Sequence, residues 1–400
     1  MRAAARALSV ADPPIITFRE RHRDLLGDPE LIDLSQAVPS YAPPPPALEA
    51  ILAAAADPRQ HFYTVDQGLP ECREAVCRWL KRFGARLAPE ELIITPGANA
   101  AFHFAINILT DPGDPVALLA PLYFNQPMSV QLLGGEVVEI PWEDSIDWDR
   151  VDRSGARVVV LVTPSNPTGR ALARAELRTA LEWAQARGAT MVVDETYLEF
   201  QESGRESGTM LAFDDWREGA VVLGSFSKSL ALTGHRVGYV FAPPSILSQI
   251  LKVQDAAVIC APRLGQLAAT SALDWSGFEA WISERRREIE ARVRAFREAP
   301  AGLFQIEEAG AFFVWLRHPE PDFALLRSRL RLSGVDDRSL ADESLLADLL
   351  AREARILTLP GSMAGSLGRS RLRVAVGNAA QPRLREEAER MRRFRWTEAP

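Results

Sequence analysis

Between residues 91 and 260, short uninterrupted apolar runs alternate with stretches in which apolar positions recur every three or four residues. The runs "ELIITPG", "DPVALLAP", "EVVEIP", "ARVVVLVTP", "ATMVVDE" and "AVVLGSFS" are rich in valine, isoleucine and leucine without polar alternation. That pattern predicts strands buried on both faces. Between them, "AELRTALEWAQARG" carries Leu177, Leu181 and Ala184 at helical spacing and stops at Gly188, as an amphipathic helix with a glycine after its last turn does. Strand then helix, repeated, predicts an α/β domain whose mainly parallel sheet is covered on both faces.

The pattern changes after Trp281. A long charged helix, "ERRREIEARVRAFREA", precedes a strand pair in "GLFQIEEAGAFFVWL" and a short strand in "SRLRVAVGN", which reads as a second, smaller α+β domain. The first 40 residues show little periodicity, and "YAPPPP" predicts a stiff extended connector in place of a helix. The expected organisation is an arm over 1–45 that joins the small domain or a partner subunit, a large domain over 46–285 and a small C-terminal domain over 286–400.

Length and composition agree with two domains: 400 residues with 47% hydrophobic content exceed the usual single core. The 46 basic and 53 acidic residues are spread along the chain without a polybasic block, which argues against a nucleic-acid surface. No run of about 18 apolar residues predicts a membrane span. The opening "MRAAARALSVADPP" is broken by Arg6, Ser9 and Asp12, unlike a secretion signal. Cys72, Cys77 and Cys260 form no Cys-x-x-Cys pair, so neither a disulfide framework nor zinc is expected and a cytoplasmic location fits. His61, His103 and His235 share no ligand spacing.

Ligand sites of open α/β sheets form beyond the carboxyl ends of the strands, and chemistry-bearing residues gather at those exits. "ELIITPGANAAF" leaves a strand through Gly97 into a predicted helix, whose first free amides favour an anion. "VVVLVTPSNPTG" ends in Asn166 between prolines, "MVVDETYLEF" in Asp194 with Tyr197 three residues on, and "VVLGSFSK" in Ser225 and Lys228. Singly these are turn, cap and surface residues; jointly, in this order, they make chemical sense. No Gly-x-Gly-x-x-Gly or Walker sequence is present.

From "YTVDQGLPECREAV" at residue 63 to "RVAVGN" at residue 373, with "SNPTG", "DETY" and "SFSK" followed by "HRVGY", the chain resembles the class I/II aminotransferases, pyridoxal 5'-phosphate enzymes of the aspartate aminotransferase fold. The resemblance implies a seven-stranded type of large sheet and a ping-pong transfer of an amino group between an amino acid and a 2-keto acid. It also implies the site. Lys228 attaches the cofactor covalently. Arg236, Ser225 and the Gly97, Ala98 and Asn99 amides hold its phosphate, Asp194 meets the ring nitrogen, and Tyr197 and Asn166 meet the phenolic oxygen. Tyr123 stacks on the ring, and Tyr63 reaches the phosphate of a neighbouring subunit, making the active unit a homodimer.

Physical reasoning supports the lysine and the arginines. An amine that is to act as a nucleophile must be partly unprotonated, which burial beside other cations achieves. Arg236, eight residues beyond Lys228, can return to clamp a phosphate with its fork of donors. On the last strand Arg371 and Arg373 share a face, and the resemblance of "RVAVGN" to the family's arginine followed four residues later by a small residue implies Arg373 for the substrate carboxylate. The family's glycine after "LS-x" is replaced by Ala37, whose amide remains to meet that carboxylate. A β- or γ-eliminating lyase, or a cyclase or decarboxylase of a modified amino acid, would begin from the same residues. A regulator using the fold as a sensor would need a DNA-binding module, for which the first 40 residues are too short and proline-rich.

Overall fold

In the computed structural model, which describes residues 2–202, 208–298, 302–335, 340–378 and 381–396, thirteen strands are described. They are β1 (Ile32–Asp33), β2 (Leu92–Thr95), β3 (Pro115–Ala120), β4 (Glu136–Pro141), β5 (Val158–Val162), β6 (Thr190–Asp194), β7 (Ala220–Ser225), β8 (Gly238–Phe241), β9 (Gln305–Gly310), β10 (Phe313–Arg317), β11 (Ile356–Leu357), β12 (Leu359–Pro360) and β13 (Arg371–Ala375). Seven of them form one sheet in the order β2-β8-β7-β6-β5-β3-β4.

Continuous apolar runs work here because both faces are covered. In β5, Val159 and Leu161 enter one core while Val158 and Val160 enter the other, and β6 and β7 divide in the same way. Helices Pro70–Leu80, Arg174–Arg187 and Arg263–Leu273 contribute to the first face, and Ala98–Leu109 and Pro244–Val258 to the second. The predicted helix after residue 173 runs Arg174–Arg187 and ends at Gly188 in the left-handed conformation.

All pairings among β3 to β7 are parallel, whereas β8 is antiparallel to both β2 and β7. Strand β8 was not among the predicted strands. It has four residues and opens on Gly238 inside the "HRVGY" motif, so it carries little periodic signal of its own. Only residues 226–237 separate it from β7, too few for a full crossover helix, so it returns antiparallel. Because β2 and β7 both oppose β8, their carboxyl ends lie at one edge with those of β5 and β6.

The smaller part is an antiparallel sheet in the order β12-β13-β10-β9, with β1 and β11 paired in parallel beside it. Phe18, Leu25, Ile32 and Leu34 from the arm share a core with Val314, Leu330, Leu349, Leu372 and Trp396. The arm therefore packs against the C-terminal part and contains the helix Pro14–Arg21. One expectation is corrected: Pro45 and Pro46 open the helix Pro45–Ala56 instead of extending the connector. Prolines in the first turn lack only amide hydrogens that no helical carbonyl would accept. The expected boundary between residues 285 and 286 falls within the continuous helix Phe278–Glu298.

The two parts meet at backbone level. Gly169 of "SNPTG" has φ +78°, and a Cβ there would stand 2.1 Å from the carbonyl oxygen of Gly310 on β9. Glycine is needed both for the left-handed conformation and for the close approach.

Candidate active site

A cavity of about 230 Å3 opens at the shared carboxyl edge of β2, β5, β6 and β7, facing β13 and the arm. It is lined by Ala37, Ala98, Asn99, Tyr123, Asn166, Asp194, Tyr197, Ser225, Lys228, Arg236 and Arg373. Residues far apart in the chain converge there because parallel strands end at one edge.

Lys228 lies in the short helix Phe226–Ser229 directly after β7, its carbonyl accepting from Tyr41 Oη at 2.7 Å and its Nζ donating to the carbonyl of Ala37. Burial, then the positive charges of Arg373 and Arg236, pull its amine down to about 8. The sequence argument named burial and Arg236; Arg373 is the cation it omitted. Asp194, the last residue of β6, is buried and receives the Thr196 amide at 3.0 Å. Among the described residues no cation forms an ion pair with it, and burial raises its carboxyl above the usual range. Burial also lifts the hydroxyl of Tyr197 well above 10, keeping it a neutral donor.

The opposite wall comes from the smaller part. Arg373 on β13 is 3% exposed, donates through Nη1 to Asn166 Oδ1 at 3.0 Å and through Nη2 to the carbonyl of Ser35, and leaves Nε without a partner. Burial draws its guanidinium down to about 10. No carboxylate faces it among the described residues, so a buried guanidinium keeps an unused donor. Arg371, two residues earlier, is paired with Glu307 at 2.6 Å and lines a separate hollow.

At one end of the cavity Gly97 has φ +89°, and a Cβ on it would come within 2.5 Å of Arg236 Nη2. The absent side chain lets the Arg236 guanidinium lie against the start of the helix Ala98–Leu109, whose free amides and dipole favour an anion. Ser225 caps the lysine helix, accepting from the Ser227 amide at 3.1 Å and donating to Ser227 Oγ at 2.9 Å. Tyr123 donates to Asn99 Oδ1 at 3.3 Å and its ring packs 5.0 Å from that of Phe124. Tyr63 lies outside this cavity, 74% exposed, beside a surface hollow that it shares with His61, His235 and Arg236.

Sequence reasoning missed Thr196, Ser227, Ser35 and Tyr41, which touch the site through backbone groups or short hydroxyls that no motif marks. It also missed Ile15 and Val38 of the arm, which line the cavity and lie outside the strand-exit pattern.

The model of the family "Aminotransferase class I and II" matches residues 29–390. The chain belongs to the class I and II aminotransferases. This aminotransferase is 27% identical over 389 residues to an aspartate aminotransferase of Streptomyces avermitilis, covering 94% of this chain and 88% of the relative. It is 28% identical over 383 residues to an aromatic aminotransferase of Arabidopsis thaliana, with 90% and 89% covered. Among solved structures, an aromatic aminotransferase from Pyrococcus horikoshii superposes with a TM-score of 0.78 at 26% identity, over 93% of this chain and 97% of that one. The enzyme is a pyridoxal phosphate-dependent transferase. Its cavity fits that cofactor by its own charges: a buried carboxylate without a cation, a buried amine held partly neutral, and an arginine cradle against a helix start suit a pyridinium, an aldehyde and a phosphate. Among the described residues no helix is long and apolar enough to cross a membrane.

Proposed function

We propose that this aminotransferase works through Lys228 as the covalent anchor and proton carrier, Asp194 opposite the ring nitrogen, and Arg373 as the holder of the substrate α-carboxylate. The observation that carries the reading is electrostatic. One cavity holds a half-buried amine, a buried guanidinium and a buried carboxylate, none with a counter-ion among the described residues, and such charges persist where a ligand completes them.

When bound, the cofactor supplies an electron sink for the bond that breaks at the substrate Cα. Every other part belongs to the chain. Arg236, Ser225 and the amides of Gly97, Ala98 and Asn99 receive the phosphate. Asp194 keeps a proton on the ring nitrogen. Tyr197 and Asn166 stand for the phenolic oxygen, and Asn166 also orients Arg373. Arg373, which lines the cavity, would hold the carboxylate and so fix the Cα–H bond relative to Lys228. The Lys228 amine, held near 8, is neutral often enough to take the Cα proton as general base and, as general acid, to give it up at a second position. The amino donor leaves as its keto acid, and a second keto acid takes up the amino group in the reverse direction, as ping-pong kinetics require.

Homodimer formation belongs to the same reading. Leu52, Phe62 and Tyr63 expose 72%, 70% and 74% of their surface, more than isolated apolar residues need, and Tyr63 would contribute from the partner. The cysteines are free, which favours a cytoplasmic role in amino acid metabolism.

The test is incubation of the purified enzyme with single amino acids and a keto acid. The expected result is a visible cofactor band that shifts on adding a donor, with equimolar keto acid release and turnover at least a hundredfold lower in Lys228→Ala. Ammonia release from the donor without amino-group transfer would favour an eliminating lyase instead.

A further inference from the structure

We propose that Gln266 is a positioning residue that acts across the dimer: it holds the loop of residues 62–69 so that Tyr63 of one subunit meets the cofactor phosphate held by Arg236 of the other. The inference rests on the homodimer and on the role proposed above for Tyr63, and adds what fixes that side chain in place.

A side chain that works in a neighbouring site cannot be steadied by its own pocket. Tyr63 is 74% exposed and sits in a stretch, residues 62–69, that forms neither helix nor strand. Its order comes from side chains of the segment 254–266. Gln266 is fully buried and spans both ends of the loop. Its Nε2 donates to Thr64 Oγ1 at 3.2 Å and to the carbonyl of Ala261 at 2.9 Å, while its Oε1 accepts from the Leu69 amide at 2.6 Å. Every polar group of that side chain is thus used, and moving the loop would leave some of them unpaired in the interior. Arg263 donates through Nε to Gln60 Oε1 at 2.8 Å and through Nη1 to the carbonyl of Tyr63 itself at 3.4 Å. Gln254, also buried, donates to the carbonyl of Asp66 at 2.6 Å.

The segment that supplies these groups is bent to do so. Ile259, between the helices Pro244–Val258 and Arg263–Leu273, has φ +65° and ψ −69°, which a β-branched residue adopts only under strain. Strain of this kind persists where the surroundings impose it and gathers at functional sites. Symmetry supplies the reach. Tyr63 and Arg236 line one surface hollow of about 460 Å3, where Phe62 and Val258 add exposed apolar surface. A twofold contact through this face is self-complementary, so it brings the Tyr63 of each copy toward the Arg236 of the other.

The measurement is equilibrium absorbance titration of the apoenzyme with pyridoxal phosphate, on homodimers and on hybrid dimers assembled from two differently tagged copies. In Tyr63→Phe and in Gln266→Leu homodimers the affinity is expected to fall about tenfold or more, the least effect of losing a hydrogen bond to a charged group. Two hybrids then decide where Gln266 acts, because Lys228→Ala in one chain leaves a single covalent site per dimer. When Lys228→Ala and Gln266→Leu share one chain opposite a native chain, the remaining site should show the weakened affinity. When Lys228→Ala is in one chain and Gln266→Leu in the other, it should bind as the native enzyme does. Any other pair of results, or an unchanged affinity in the Gln266→Leu homodimer, overturns the proposal. Should Gln266→Leu fail to fold, Thr64→Val, which removes an acceptor of Gln266 and keeps the side-chain shape, is read in the same hybrids. Unchanged affinity in Tyr63→Phe, or a monomer in sedimentation, would sink the role of Tyr63 and the proposal with it, so the two failures are distinct.

Discussion

Arg373→Gln separates a substrate-binding role from a structural one. The guanidinium is 3% exposed, its Nη atoms hold Asn166 and Ser35, and Nε has no partner among the described residues. Removing one partner of a buried, hydrogen-bonded charge pair costs about 2–5 kcal/mol. At about 1.4 kcal/mol per decade, kcat/KM for amino acids should fall roughly 30- to 5,000-fold. An amine without a carboxylate, such as hexylamine, lacks the contact, and its slow half-reaction should be unchanged. A second readout is capture of pyridoxal phosphate by the apoenzyme, whose rate follows the neutral fraction of Lys228. Capture should be slow at low pH and rise to a plateau, with a midpoint near 8 in the native enzyme. Burial sets most of that depression and survives the substitution, but the Arg373 charge does not, so the midpoint should move upward. Equal losses with amino acid and hexylamine, or a midpoint that stays in place, would refute the reasoning.

Other substitutions test the rest of the site. Asp194→Asn should weaken pyridoxal phosphate affinity at least about thirtyfold by removing the buried charge opposite the ring nitrogen, as read by equilibrium absorbance titration. The same change should raise the thermal midpoint of the apoenzyme at pH 7. The folded carboxyl titrates above its unfolded value of 3.8, so its contribution favours folding below that value and is lost as pH rises through the folded pKa; the gain should shrink toward pH 4. Gly169→Ala combines a left-handed alanine, about 1–2 kcal/mol, with overpacking of about 1–3 kcal/mol. Denaturant unfolding should therefore show a loss of about 2–5 kcal/mol, and a loss under 1 kcal/mol would remove the Gly169–Gly310 contact from the account.

The strands β2 to β7 were legible because burial on both faces leaves no polar interruption in a run such as "ARVVVLVTP", whose shortness and β-branched valines favour a strand over a buried helix segment. The residues at their ends were legible through the family motifs and through the rule that sites form at carboxyl edges. What escaped had weaker local signals. The four residues of β8 hide within a motif, and the helix Pro45–Ala56 begins in a proline run whose first-turn and extended readings share one φ. The arm helix Pro14–Arg21 buries one residue, Phe18, so its stripe is too narrow to give a period. Thr196, Ser227, Ser35 and Tyr41 contribute backbone groups or single hydroxyls, which any sequence contains.

The same contrast explains why the charged residues of the cavity could be picked out from sequence while its apolar lining could not. Lys228, Asp194 and Arg373 are costly in this interior: burial pushes the amine down to about 8 and the guanidinium to about 10, and pushes the carboxyl up. Each shift favours the neutral form, and each is a penalty that burial imposes on the charged form. Residue types that costly in an interior stand out even as letters at strand exits. Ile15, Val38 and Phe124 cost nothing to bury and resemble every other apolar position in the chain, so their place in the cavity lining emerges only when the arm is seen folded beside it.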